Sequence, residues 1–238
     1  MVWEKQPELL RLEDLGQFLC SWKVSSSDGV AHLCGGLEAD PYFDHDGSTL
    51  YFISSRSTGS SSSADLDMWV ARREQSGRWG KPVKLPEPVN SNYAEWFPRP
   101  ASDGWLYFGS RRPGGFGKDD IWKARQSANG SWQVENVGPD LNTEGAEYEF
   151  LPARNGQWGL LATDGGIYRV ERARDGWRRA GLLGKEVNAN GTEIGPMFLG
   201  TDGSFVFSRD SGKDKSGELF VASTGNAATA FQTCAPSR

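Results

Sequence analysis

Glu95-Trp96-Phe97-Pro98, then Asp103-Gly104, Leu106-Tyr107-Phe108, Ser110-Arg111 and Asp120-Ile121-Trp122-Lys123, is the stretch that decides the fold. An Asx-Gly turn ahead of alternating aromatic and aliphatic residues signals a hairpin, because Gly and Asn tolerate the positive φ such turns need. The same order of parts recurs three more times. Asp40-Pro41-Tyr42-Phe43, Asp46-Gly47, Leu50-Tyr51-Phe52 and Ser55-Arg56 form one copy. Glu147-Tyr148, Pro152, Asn155-Gly156 and Trp158-Gly159-Leu160-Leu161 form another. Glu193, Pro196-Met197-Phe198, Asp202-Gly203, Phe205-Val206-Phe207 and Ser208-Arg209 form the last. The turn glycines stand at 47, 104, 156 and 203. A drifting period of about 50 residues fits four short strands per repeat, the unit of a β-propeller blade.

Each copy continues alike. A third strand is expected at Asp67-Met68-Trp69-Val70, Asp120-Ile121-Trp122-Lys123, Gly166-Ile167-Tyr168-Arg169 and Glu218-Leu219-Phe220-Val221. A Trp then opens an outer strand at Trp79, Trp132 and Trp177, and tags close the repeats at Pro88-Val89-Asn90-Ser91, Asp140-Leu141-Asn142-Thr143 and Glu186-Val187-Asn188. No segment shows helical periodicity. The expected fold is all-β: a propeller with four recognisable four-stranded blades over about 40–91, 92–144, 145–190 and 191–222, in a single domain spanning 1–238. The fourth copy lacks its Gly-Trp outer strand. Residues 1–10 resemble that strand, since Trp3-Glu4-Lys5-Gln6-Pro7-Glu8-Leu9 parallels Trp79-Gly80-Lys81-Pro82-Val83-Lys84-Leu85. An N-terminal strand closing the ring would remove two open sheet edges. Residues 11–36 read as a degenerate segment, either an inserted hairpin or a decayed fifth blade.

Composition agrees. Of 238 residues, 30 are Gly and 10 are Trp, with a net charge of −5. An aromatic-rich chain of this kind is not disordered, and an acidic one without a basic tract argues against nucleic acid. No apolar run reaches the roughly 18 residues of a membrane span. No signal peptide is recognisable at the start. Cys20, Cys34 and Cys234 form no C-x-x-C pair and read as reduced thiols, with a Cys20–Cys34 disulfide as the alternative in an exported protein.

The run Pro98…Ser102-Asp103-Gly104-x-Leu106-Tyr107-Phe108-x-Ser110-Arg111-x-Pro113-Gly114-Gly115-x-Gly117-x-x-Asp120-Ile121-Trp122 resembles the TolB-like, WD-type β-propeller repeat of bacterial proteins. The resemblance covers residues 40–222. It implies a propeller of the kind that serves periplasmic or secreted binding modules, sometimes joined to peptidases or peptidoglycan-binding domains. It leaves activity open, since function lives in sites rather than folds.

Two sets of charged residues recur. Arg56, Arg111 and Arg209 end the second strand of three copies, and Asp67, Asp120 and Glu218 begin the third. The third copy lacks both partners, with Thr163-Asp164 and Gly166 in their places. This favours within-blade Arg–carboxylate pairs; a ligand-binding arginine ring is the alternative. Asp40, Glu95, Glu147 and Glu193 enter the innermost strands and would converge at the channel mouth. They serve either as caps of blade junctions or as a site for a polar ligand, a polyamine, calcium or another cation. No cofactor is otherwise indicated.

Enzyme signals are thin. His32 and His45 are the only histidines, and neither supports a catalytic triad or a histidine metal site. Asp44-x-Asp46-Gly47-Ser48 has only part of a calcium loop's spacing. Sequons at Asn129-Gly130-Ser131 and Asn190-Gly191-Thr192 fall on repeat turns. The reading therefore leans to a noncatalytic, monomeric module that binds a protein, peptide or glycan at the channel mouth. A carbohydrate-active hydrolase using channel carboxylates is the second option, and a purely structural propeller the third.

Overall fold

The computed structural model describes residues 38–56, 66–200, 203–210 and 218–223. The proposed closing strand, the degenerate segment 11–36, His32 and all three cysteines lie outside the described residues. Fifteen strands form four antiparallel sheets, each built from consecutive strands. Blade 1 holds β1 (Glu38–Phe43), β2 (Thr49–Ser54), β3 (Asp67–Arg72) and β4 (Val83–Lys84). Blade 2 holds β5 (Glu95–Pro100), β6 (Leu106–Ser110), β7 (Asp120–Gln126) and β8 (Trp132–Asn136). Blade 3 holds β9 (Glu147–Pro152), β10 (Trp158–Thr163), β11 (Gly166–Ala173) and β12 (Gly176–Leu182). Blade 4 has three strands among the described residues: β13 (Ile194–Phe198), β14 (Ser204–Arg209) and β15 (Glu218–Ser223). The first strands touch in sequence, β1 with β5, β5 with β9 and β9 with β13, so they are the inner strands. The described residues form an all-β, four-bladed β-propeller.

The apolar runs follow from burial of both blade faces. In β6, Leu106 and Phe108 join a core with Ile53, Met68 and Val70 of blade 1. Tyr107 between them points the other way, into a core with Phe150, Leu161 and Trp177 of blade 3. In β10, Leu160 and Ala162 face Phe205 and Phe207 of blade 4. A strand covered on two sides loses the apolar–polar alternation and reads as a continuous hydrophobic run.

Short polar devices join the hairpins and blades. Asp103 Oδ1 accepts the Trp105 N–H at 3.2 Å and Asn155 Oδ1 that of Gln157 at 3.0 Å, so each Asx stabilises its own turn. Asp44 and Asp46 do the same in blade 1, accepting backbone N–H groups of Ser48 and Thr49. The tag asparagines clamp the third strands. Asn142 Oδ1 accepts the Ile121 N–H at 2.8 Å while its Nδ2 donates to the Ile121 carbonyl at 2.9 Å. Asn90 holds Met68, and Asn188 holds Ile167, in the same way. In blade 1 the outer strand shrinks to Val83–Lys84, Trp79 making only an isolated bridge to Arg73. Pro82, which lacks an N–H, interrupts the ladder between them.

Candidate functional site

The acids and arginines read from the sequence form one set of contacts rather than two. Glu95 opens β5, Glu147 opens β9 and Glu193 precedes β13, and all three are buried. Each first meets the loop that leads into its strand. Ser91 Oγ donates to Glu95 at 2.6 Å, Thr143 Oγ1 to Glu147 at 2.7 Å and the Ala189 N–H to Glu193 at 2.8 Å. An arginine then pairs with each carboxylate: Arg112 with Glu95 at 2.7 Å, Arg179 with Glu147 at 2.5 Å and Arg209 with Glu193 at 2.9 Å, all three Glu193 bonds falling on Oε1 and leaving its Oε2 without a hydrogen-bond partner. The same guanidinium groups donate to tag carbonyls of Val89, Leu141 and Val187. In blade 1 the equivalent acid is Glu38, paired with Arg56 at 2.7 Å. Burial alone would raise the Glu193 carboxyl; the Ala189 and Asn190 N–H groups together with Arg209 hold it below the usual range.

The expected pairing partners therefore change. Arg56 and Arg209 turn inward to Glu38 and Glu193 instead of outward to Asp67 and Glu218, although register sets Arg209 directly across from Glu218. Arg111 pairs with Asp119, not Asp120, and its neighbour Arg112 takes the inner carboxylate. The outer acids have other work. Asp67 binds Lys84 at 2.6 Å, and Asp120 accepts the Phe116 and Gly117 N–H groups and Asn136 Nδ2. The third blade has no arginine at the end of β10, and Arg179 reaches Glu147 from the outermost strand, β12.

Asp40 stands two residues past the glutamate position, at a β-bulge. Pairing of β1 with β2 skips between Ala39 and Tyr42, and that of β5 with β6 between Trp96 and Arg99. Asp40 at φ 52° and Phe97 at φ 48° are the only non-glycine residues with left-handed φ among the described residues. Bulges and strained φ values re-aim side chains and concentrate at sites of function. Here they gather a second cluster on the inner strands of three successive blades. Asp40 Oδ2 accepts the Phe97 N–H at 3.2 Å. Arg99, 3% exposed, directs Nε and Nη2 to the single oxygen Oε1 of Glu149, each at 2.7 Å, and Nη1 to the Pro98 carbonyl at 3.1 Å. Its guanidinium lies 4.6 Å from the Tyr42 ring centroid and 5.5 Å from that of Phe97. Glu149 is 0% exposed, and its Oε2 has no hydrogen-bond partner.

The electrostatics of the cluster are unbalanced: two carboxyls share one guanidinium. Burial pushes Glu149 up to about 7, Arg99 opposing and Asp40 adding to the rise. Burial also raises Asp40, against the pull of Arg99 and the Phe97 N–H. Repeat patterning does not single out Glu149 or Arg99. Their signal in the sequence is a second charged residue inside the strand, beyond the glutamate that opens it. A separate groove of about 420 Å³ lies at the outer edge of blades 1 and 2, where Arg72, Arg73 and Lys81 surround Val83 and Trp132. Among the described residues no group of three or more His, Cys, Asp or Glu is placed to hold a metal ion, and no helix is long and apolar enough to cross a membrane.

Comparison with known proteins supports the fold. No family model and no curated protein matches the chain. Among solved structures, a putative TolB from Agrobacterium tumefaciens is similar at a TM-score of 0.52 and 12% identity, covering 82% of this chain and 63% of that one. The periplasmic gluconolactonase of Pseudomonas aeruginosa gives 0.46 and 15%, covering 83% and 57%, and a putative 6-phosphogluconolactonase of Bacteroides fragilis gives 0.45 and 10%, covering 81% and 70%. The chain thus spans less than two thirds of the TolB structure's length. It is a β-propeller, similar in fold to the TolB structure.

Proposed function

We propose that this propeller is a noncatalytic binding module whose ligand, a protein, peptide or glycan group, docks at the channel through Asp40, Tyr42, Arg99 and Glu149. The observation that carries the reading is the fully buried Glu149 Oε2 without a partner. A buried polar atom left unsatisfied costs roughly 1–3 kcal/mol, and more when charged, so an incoming donor would be rewarded there. The Glu95, Glu147 and Glu193 pairs, engaged by arginines and loop donors, serve as the frame that holds the inner strands in place.

A hydrolase remains the second reading, because a carboxyl raised to about 7 suits a general acid. It ranks below binding because Arg99 occupies Glu149 Oε1 and both acids already share that guanidinium. The test is an array of glycans and peptides probed with the wild type, Asp40→Asn and Glu149→Gln, with turnover assayed on every ligand that binds. Ligands lost in both variants and released unchanged support the binding module. Turnover abolished by Glu149→Gln would establish the hydrolase, and ligands indifferent to both changes would remove the channel from consideration.

A further inference from the structure

We infer that the channel cluster is an ammonium site: it takes an unbranched primary alkylammonium group, seated against Glu149 Oε2 and the Asp40 carboxylate. The inference rests on the binding reading above and specifies its chemistry. Three observations converge on it. The first is the orphaned oxygen, which is fully buried and accepts nothing while its twin Oε1 takes two bonds from Arg99. The second is charge. With both ionised, Asp40 and Glu149 bring two negative charges against the one positive charge of Arg99, so an ammonium that takes the place of the Glu149 proton leaves the cluster neutral. The third is the way the cluster is held: both flanking bulge residues, Asp40 and Phe97, are kept at left-handed φ, a strained geometry that aims these groups together.

The same geometry excludes other ligand classes. An anion would face two carboxyls, and three of the five Arg99 N–H groups are already spent on Glu149 and the Pro98 carbonyl. A divalent metal would meet only two carboxylates and sit beside a fixed guanidinium, whereas calcium takes six to eight oxygens. An ammonium has three donors, suits two carboxylates, and gains from the Tyr42 and Phe97 rings that already line the guanidinium. Glu149 is fully buried, so the entering group has to part the cluster to reach Oε2, and a thin chain, either a free alkylamine or a lysine side chain, displaces least.

Isothermal titration of the full chain with 1,4-diaminobutane, Nα-acetyl-lysine amide and neutral 1,4-butanediol tests this. The inference expects one or both amines to bind and the diol to be silent; diaminobutane alone assigns a free amine, and acetyl-lysine amide points to a lysine side chain. Glu149→Gln and Asp40→Asn should each weaken the amine at least tenfold with the melting transition retained. At pH 7 the amine should also displace a proton from a cluster whose charged or titratable neighbours are Asp40, Tyr42, Arg99 and Arg154, seen as heats that depend on the buffer. The ligand series on the wild type decides even where a variant fails to fold. Equal response to the diol, or amine affinity unchanged in both variants, overturns the ammonium site. A neutral glycan bound in a Glu149-dependent way overturns it too, yet keeps the binding module; no Glu149- or Asp40-dependent ligand of any class overturns both.

Discussion

Arg179, on the outermost strand of blade 3, bonds to Glu147, on the innermost strand of the same blade, across 32 positions of sequence and at 2.5 Å. In blades 2 and 4 the same job belongs to an arginine at the end of the second strand, Arg112 or Arg209. One guanidinium position is thus filled from two different places in the repeat. What is preserved is the charge and the carbonyls around it, since Arg179 donates to Leu141 as Arg112 does to Val89 and Arg209 to Val187. A buried glutamate at a blade junction needs a cation, and the chain supplies one by whichever strand can reach.

This makes a rescue experiment possible. Arg179→Met leaves Glu147, 1% exposed at its side chain, without its cation, while Arg179 itself is 22% exposed. The expected loss is about 3 kcal/mol, at the low end for a broken buried pair because one partner is partly solvated. The residue of blade 3 equivalent to Arg112 is Gly165, two past the partner of the inner glutamate in each case. A Cβ there meets only ordinary contacts, Thr163 Oγ1 at 3.5 Å and the Tyr168 hydroxyl at 3.6 Å. Gly165→Arg added to Arg179→Met should therefore recover a large part of the urea midpoint. No recovery would show that the position is not interchangeable.

Much of the architecture is legible in the sequence. The Asx-Gly turns of the first three repeats, the third strands and the closing tags fall where the repeats place them, because each is a local device with its own composition. Which acid belongs to the frame is less legible. Blades 1 and 2 carry the same bulge, and the 57-residue offset of their turn glycines sets Glu38 with Glu95 and Asp40 with Phe97, whereas matching an acid ahead of the aromatic pair selects Asp40 where Glu38 holds the position. The doubled Arg111-Arg112 hides which side chain turns inward, and Arg179 is brought in by the fold of the sheet, which repeat spacing does not encode. A five-residue step from Asn90 to Glu95, Asn142 to Glu147 and Asn188 to Glu193 does mark the frame. It ties each strand clamp to the glutamate of the following blade.

The clamp asparagines are predicted to be among the least replaceable polar residues. Asn142 is 2% exposed and satisfies both the N–H and the carbonyl of Ile121. Asn142→Ala leaves both backbone groups without that partner and should cost about 2–3 kcal/mol in urea unfolding. Asn142→Asp keeps the acceptor but cannot donate, so it should recover little. Near-wild-type stability in either variant would assign the clamp a minor role.

Blade packing predicts a sharp contrast between two glycines. At Gly109 in β6 a Cβ would collide with the Tyr148 carbonyl oxygen of β9, a backbone atom that cannot turn aside. At Gly181 in β12 a Cβ meets nothing within 4 Å. Gly109→Ala should destabilise by about 1–3 kcal/mol through overpacking, and Gly181→Ala should stay within about 0.5 kcal/mol of wild type. Equal melting temperatures for the two would mean that blades 2 and 3 do not approach this closely.

The channel cluster predicts an unusual dependence of stability on pH. Glu149 ionises near 4.5 when exposed but about 7 when folded, because burial disfavours its charge more than Arg99 restores it, with Asp40 adding to the rise. A folded group with a raised value holds its proton more tightly than the unfolded chain. Its contribution is fully present below about pH 4.5 and is lost as pH climbs through 7. Glu95, also raised to about 7 by burial against Ser91 and Arg112, acts in the same direction. Glu193 acts oppositely: lowered in the fold, its contribution fades as pH falls below its unfolded value. The two raised glutamates should therefore make stability decline from about pH 4.5 to about pH 7 and level off above it, each adding at most about 3 kcal/mol to the decline. Glu149→Gln, which has no proton to lose, should flatten that slope and melt closer to wild type at pH 5 than at pH 8, where it should be the more stable of the two. The groups facing Glu149 are Asp40, Tyr42, Arg99 and, through Tyr42, Arg154, and burial raises Asp40 as it raises Glu149. Asp40→Asn should then lower the midpoint of the Glu149 transition, since it removes the like charge that helps raise it. Melting curves of the wild type and both variants from pH 5 to 8.5 check the sign. A wild type that gains stability through pH 7, or three parallel profiles, would show that Glu149 is ionised throughout and that Arg99 outweighs its burial.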